Sequence, residues 1–223
     1  FGLEIIRRFN EVDERFEHSL KYKKIDCLID VGANEGQFGV YLRKINFNKK
    51  IISFEPLTEA FQKLRTKALR DNNWKVFNYA LGDKEKDEII NISANSVSSS
   101  ILKINENHLE AAPESEIIKS EKIKVKRLDK ILLSETKNYN KIFLKVDTQG
   151  YEDKVLDGAK NIINKIEGIR VEMSLKPLYE NSLSFEDLYK KIIKMDYILW
   201  DLSTAFVHRK TAQVLQLDAV FFK

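Results

Sequence analysis

The sequence predicts an α/β domain whose parallel sheet is covered by helices on both faces and ends in a reversed strand. Three observations carry that prediction. First, Cys27-Leu-Ile-Asp-Val-Gly32-Ala-Asn-Glu-Gly36 joins an apolar run of strand length, through a glycine turn, to a helical period at Phe38, Tyr41, Leu42 and Ile45. Second, the apolar run Ile51-Ile52-Ser53-Phe54 delivers Glu55, nineteen residues beyond Gly36. Third, strands and helices alternate from Cys27 to the chain end, where two strand patterns follow one another with no clear helix between them. A parallel neighbour needs a crossover, so that last pair is expected to be antiparallel, completing a seven-stranded sheet.

In order along the chain, residues 3–22 place Ile5, Phe9, Val12, Phe16 and Leu20 on one stripe. They predict a helical N-terminal arm over residues 1–24, ahead of a domain spanning 25–223. Beyond the first two strands, Phe61, Leu64 and Ala68 mark a helix, and Trp74–Tyr79 a third strand that runs into Ala80-Leu81-Gly82-Asp83. Glu88–Ile92 has the pattern of a short extra strand. Residues 93–121 break the rhythm with a polar, serine-rich stretch and Pro113 among charges, and are expected to be a mobile loop or lid. Ile123–Val125 reads as a strand, Leu128–Leu133 as a short helix and Lys141–Asp147 as a central strand. Val155, Leu156, Ala159, Ile162 and Ile163 lie on the buried face of one helix; Ile169–Met173 follows as a strand, closed by Lys176-Pro177. A helix carrying Phe185, Leu188, Tyr189, Ile192 and Ile193 precedes the last strands, Tyr197–Asp201 and Ala219–Phe222.

Composition narrows the class. A net charge of +4 is small for 223 residues of which 32% are charged, and the lysines are spread rather than blocked, so no nucleic-acid partner is expected. Cys27 is the single cysteine, so no disulfide forms within the chain, which fits a reducing, cytoplasmic setting. No apolar run approaches the roughly 18 residues of a membrane span, and no segment resembles a leader.

The chemistry gathers at the carboxyl ends of the strands, where open α/β sheets bind ligands. Asp30, Gly32, Glu55 with Pro56, Ala80, Leu81, Asp147 and Glu172 all end predicted strands on that edge. Any one of them is as easily a turn residue or a helix cap; together they outline a crevice. An acid about 20 residues past a glycine loop is the ribose acceptor of nucleotide-binding folds, which assigns Glu55. The loop, Gly32-Ala33-Asn34-Glu35-Gly36, has its second glycine at the fifth position and bares less backbone than a pyrophosphate requires. A single carboxylate demands less, which favours S-adenosylmethionine over NAD, with Asp30 orienting the loop or facing an ammonium group.

The order Ile-Asp-Val-Gly-Ala-Asn-Glu-Gly-Gln (29–37), Phe54-Glu-Pro56, Ala80-Leu-Gly-Asp83, Leu144-Lys-Val-Asp-Thr-Gln-Gly-Tyr-Glu152, Val171-Glu172 and Leu217-Asp-Ala-Val-Phe-Phe222 resembles the FkbM family of S-adenosylmethionine-dependent methyltransferases. The resemblance runs from about residue 27 to the end, and Lys145, Asp147, Gly150 and Glu152 match the family's most specific signature in full. It implies the class I methyltransferase form of the Rossmann-like fold and methyl transfer to a hydroxyl, often on a sugar or small metabolite. It also implies a methionyl-binding loop at Gly32–Gly36, ribose contacts from Glu55, an adenine slot near Ala80, Leu81 and Asp83, and a serine-containing loop at Ser98, Ser99 and Ser100 that touches cofactor or acceptor.

Methyl transfer needs alignment and a way to remove the hydroxyl proton. Asp147 and Glu152, flanking one turn, are the candidate bases, with Lys145 on the same strand face as Asp147. Asp147 serves equally as a cofactor contact, Glu152 as a helix N-terminal charge and Lys145 as an ion-pair partner. No His-rich or dense Asp cluster supports a metal. His108 and His208 fall in rim segments where a histidine is usually solvated; Tyr179 and Trp200 are large enough to stack on a sugar, although Trp200 fits the core better. A nucleotide-dependent oxidoreductase or sugar-nucleotide enzyme, and a non-catalytic nucleoside-binding domain, are the alternatives.

Overall fold

The apolar run at Cys27 is buried at every position, as a central parallel strand must be when helices cover both faces. The computed structural model describes residues 11–135 and 138–223. In chain order its elements begin with α1 (Val12–Tyr22), β1 (Cys27–Val31), α2 (Gln37–Lys44), β2 (Lys50–Phe54), α3 (Thr58–Ala68) and β3 (Trp74–Phe77). The middle of the chain holds β4 (Ala80–Leu81), β5 (Lys86–Ser93), α4 (Glu106–Ala111), β6 (Ile117–Lys126) and α5 (Leu128–Glu135). It closes with β7 (Ile142–Val146), α6 (Glu152–Asp157), β8 (Ile166–Ser174), α7 (Phe185–Ile193), β9 (Ile198–Val207) and β10 (Val214–Phe222).

Seven strands form the main sheet in the order β3-β2-β1-β7-β8-β10-β9. The first five are mutually parallel, and β10 lies antiparallel between β8 and β9, as the missing crossover requires. Helices α1, α2 and α3 cover one face through Phe16, Leu20, Leu42 and Leu64, and α5, α6 and α7 the other through Leu128, Val155, Leu156, Leu188 and Ile192. A three-stranded sheet, β4-β6-β5, sits beside it over its own cluster of Ile90, Ile92, Ile123 and Val125.

Several expected boundaries shift. The strand expected over 74–79 stops at Phe77, and Ala80–Leu81 just beyond it forms a separate short strand paired with β6. The helix expected around Val155–Ile163 breaks at Gly158 into α6 and a 3-10 turn over Lys160–Lys165. Residues 93–121, expected to lack regular structure, contain the end of β5, all of α4 and the start of β6. The reason is that their polar groups satisfy one another. Asn95 Nδ2 donates to Ser98 Oγ and Ser115 Oγ, and Ser115 Oγ meets His108 Nε2 at 3.1 Å.

Of the N-terminal arm, residues 1–10 lie outside the described residues. The remainder packs as α1, with Phe16 edge-on to Phe143 at 5.4 Å. An extra residue on β9 opposite the Val220–Phe221 step turns both Trp200 and Asp201 toward α1, where Trp200 Nε1 donates to Ser19 Oγ and Asp201 pairs with Arg15 at 2.8 Å. Among the described residues no helix is long and apolar enough to cross a membrane.

Candidate active site

A cavity of about 510 Å³ opens at the carboxyl edge of the sheet, within the size range of small-molecule sites. Of the residues expected there, Gly32, Asn34, Pro56, Ala80, Leu81, Lys145 and Asp147 line it. The glycine loop is held from two sides. Gly32 and Ala33 donate their N–H groups to the Phe54 carbonyl, and Asn34 donates its own to Glu55 Oε2 at 2.7 Å. Gly32 has φ +74°, and a Cβ there would fall on the carbonyl oxygen of Asp147, well inside van der Waals contact. The segment following β7 therefore requires a glycine at position 32.

Glu55 is buried, its second oxygen accepting from the Leu57 N–H at 2.9 Å. Burial pushes its carboxyl up to about 7, against those two backbone donors. Asp30, completely buried, lies 3.2 Å from Lys145 Nζ and accepts from Ser53 Oγ, which itself accepts from Trp74 Nε1. Lys145 also donates to the Gly32 carbonyl at 3.1 Å and stands 3.4 Å from Asp147 Oδ2. Burial opposes its charge, but Asp30 and Asp147 outweigh burial and hold its pKa above the usual lysine value. The strand register explains the cluster: Ser53, Asp30, Lys145 and Arg170 are successive partners across β2, β1, β7 and β8, one polar row on one face.

Asp147 keeps 37% of its side chain exposed, with Oδ1 accepting from Gln149 Nε2 at 2.8 Å. Gln149 also donates to Glu172 Oε2 and accepts from the Tyr179 hydroxyl at 2.6 Å. Burial, then the charges of Asp147 and Glu152, pushes Glu172 well above the carboxylate range.

Other expected residues sit away from the cavity wall. Glu152 lies behind its own turn, with Oε1 accepting from Thr148 N–H, Thr148 Oγ1 and Gly150 N–H; burial raises its carboxyl to about 7. Gly36 packs on Leu64 and Trp74. Asp83 offers its backbone carbonyl to Arg127. Ser100 is buried and donates to the Gln149 carbonyl at 2.6 Å, while Ser96, Val97, Ser99 and Ile101 reach the cavity. His108 is buried rather than solvated, and burial drives its pKa down to about 4. Tyr179 is buried beneath Gln149, Trp200 is half exposed on the far edge of the sheet, and the His208 ring accepts from the Lys210 N–H in the turn after β9. Among the described residues no group of three His, Cys, Asp or Glu side chains is placed to hold a metal.

The family model for the methyltransferase FkbM domain matches residues 30–199, well over half of the chain. The chain belongs to the FkbM methyltransferase family. It is an S-adenosylmethionine-dependent methyltransferase. No curated protein sequence matches it. An rRNA methylase from Streptococcus thermophilus shares the fold at TM-score 0.52 with 9% identity, over 97% of this chain and 99% of that one. Fibrillarin from Aeropyrum pernix, solved with natively bound S-adenosyl-L-methionine, shares it at TM-score 0.51 and 8% identity, over 88% of this chain and 66% of that one.

Several wall residues of this FkbM methyltransferase were not expected from its sequence: Asp13, Arg170, Asp218, Gln149, Ile90 and Tyr151. A signal existed for Arg170, a charged residue inside the apolar run 169–173. For Asp13, on a helix far from any motif, there was none.

Proposed function

We propose that this methyltransferase acts on a hydroxyl oxygen of a sugar, glycan or small metabolite, with Asp147 receiving the proton. The observation that carries the reading is the Asp147 carboxylate, exposed on the cavity wall beside the glycine loop and gripped by Gln149 and Lys145. When bound, S-adenosylmethionine supplies a methyl group activated on a sulfonium centre. The protein adds orientation and a proton acceptor. The Gly32–Gly36 loop, Glu55 and the slot at Pro56, Ala80 and Leu81 would hold the cofactor; Asp147 accepts the hydroxyl proton as the oxygen is alkylated; Glu152 keeps the turn that presents Asp147. The test is calorimetry with S-adenosylhomocysteine and NAD in parallel, followed by labelled methyl transfer to neutral hydroxyl compounds. Binding of NAD without S-adenosylhomocysteine overturns the reading.

Glu55 makes a pH-dependent prediction. Ribose hydroxyls donating to its carboxylate would stabilise the charged form and lower a pKa that burial holds near 7. The complex then carries fewer protons than the free protein, so binding releases protons and affinity rises with pH up to about 7. Glu55→Gln is expected to weaken S-adenosylhomocysteine at least about tenfold and to abolish the proton release. Calorimetry in buffers of different ionisation enthalpy reads both; equal proton release in wild type and variant would remove Glu55 from the ribose.

Residues 93–121 act as a lid in this reading, since Ser96, Val97 and Ile101 reach the cavity. The amides of its cavity-facing turn, 94–101, are expected to exchange fast in the free protein and to slow when S-adenosylhomocysteine is bound. Uniform protection without ligand contradicts a lid.

A further inference from the structure

We propose that the end of the cavity under α1 and α2 is an acceptor subsite for an uncharged hydroxyl compound, and that it rejects acceptors bearing phosphate or carboxylate. The proposal rests on the methyl-transfer reading above and assigns the part of the cavity which that reading leaves empty.

Sheet order divides the cavity. Pro56 and Ala80 follow β2 and β3, whereas Arg170 and Asp218 stand on β8 and β10. From β2 to β10 is four strand spacings of about 4.8 Å, roughly 19 Å. Asp147, following β7, stands between the two ends. One end is the cofactor slot; the other is walled by Asp13, Phe38, Tyr41, Arg170 and Asp218. Asp13 and Asp218 both lie outside residues 30–199, the stretch shared with the FkbM family model. Phe38, Tyr41 and Arg170 lie within that stretch, so the far end combines residues inside and outside the family match.

Its chemistry points to hydroxyls. Among the described residues the buried Tyr41 hydroxyl has no partner at hydrogen-bonding distance and geometry, and the exposed Asp13 carboxylate stands close enough that its hydrogen-bonding and charge, after burial, hold the hydroxyl proton on. A buried polar group without a partner is costly, and an acceptor hydroxyl placed between Tyr41 and Asp13 would satisfy both. The charges point away from anions. Two cations line the cavity among the described residues, and both are already committed. Arg170 donates to Asp218 at 2.8 Å beneath the rings of Phe16 and Phe38, and Lys145 is held by Asp30, Asp147 and the Gly32 carbonyl. An anionic acceptor would meet Asp13 and Asp147 with no unspent cation among the described residues of the cavity wall to receive it.

The experiment uses the full chain with labelled S-adenosylmethionine and matched probes: neutral methyl glycosides, the same sugars as phosphates, and a short RNA. Saturation-transfer NMR on the S-adenosylhomocysteine complex reports binding of each probe. The expected result is binding of neutral probes, preferred at least about tenfold over their phosphates, with RNA unmodified. Tyr41→Phe and Asp13→Asn are each expected to raise KM for the neutral acceptor several-fold with S-adenosylhomocysteine affinity unchanged, and Asp13→Lys to narrow the discrimination against phosphate. Preference for phosphates or RNA overturns the proposal, as does a protein that binds S-adenosylhomocysteine but none of the neutral probes. Failure to bind S-adenosylhomocysteine at all would instead strike the methyl-transfer reading beneath it.

Discussion

Asp147→Asn is expected to cut turnover by roughly 10²–10⁴ while leaving S-adenosylhomocysteine affinity within about threefold of wild type. The substitution is close to isosteric. The amide oxygen still accepts from Gln149 Nε2, and Lys145 keeps Asp30 and the Gly32 carbonyl, so the cluster stays in place. What is lost is the group that receives the hydroxyl proton. Glu152→Gln is the matched control. Its buried oxygen accepts from Thr148 and Gly150, an amide oxygen can do the same, and turnover is expected to stay within several-fold of wild type. Stopped-time methyl-transfer assays on a confirmed acceptor, with calorimetry on both variants, separate the roles. Normal turnover in Asp147→Asn removes Asp147 as proton acceptor; lost affinity with turnover retained moves it to the cofactor.

The end of the site proposed for the cofactor was legible because its residues are close in sequence and punctuated by glycine: Gly32 to Gly36, Glu55 after an apolar strand, Asp147 inside a signature. Local pattern carries such motifs. The end proposed for the acceptor was not legible, since Asp13 and Asp218 come to one cavity only after α1 has packed on the sheet that contains β10. The polar row Ser53–Asp30–Lys145–Arg170 also needs the register of four strands, which periodicity within any one of them does not supply. The secondary structure within residues 93–121 was hidden for a different reason. Their order comes from hydrogen bonds among Asn95, Ser98, Ser115 and His108 rather than from an apolar period, and a polar segment that satisfies itself looks like a loop to any reading based on burial.

Lys145→Met is expected to cost about 3–5 kcal/mol of folding stability, because it removes one side of a buried ion pair and strands the other. Lys145 is 8% exposed and Asp30 is fully buried; without the ammonium group, Asp30 keeps only the Ser53 hydroxyl as donor among the described residues. Asp147 is less affected, since its exposed carboxylate retains water and Gln149. The same lysine donates to the Gly32 carbonyl, so cofactor affinity should fall together with stability. The double variant Lys145→Met/Asp30→Asn separates charge from packing. Removing both charges leaves an amide oxygen for Ser53 and no uncompensated carboxylate, so the double variant is expected to be more stable than Lys145→Met alone. Urea unfolding midpoints measure the difference. A single variant that loses less than about 1 kcal/mol, or a double variant less stable than the single, would mean that the lysine is kept for the loop and not for its buried partner.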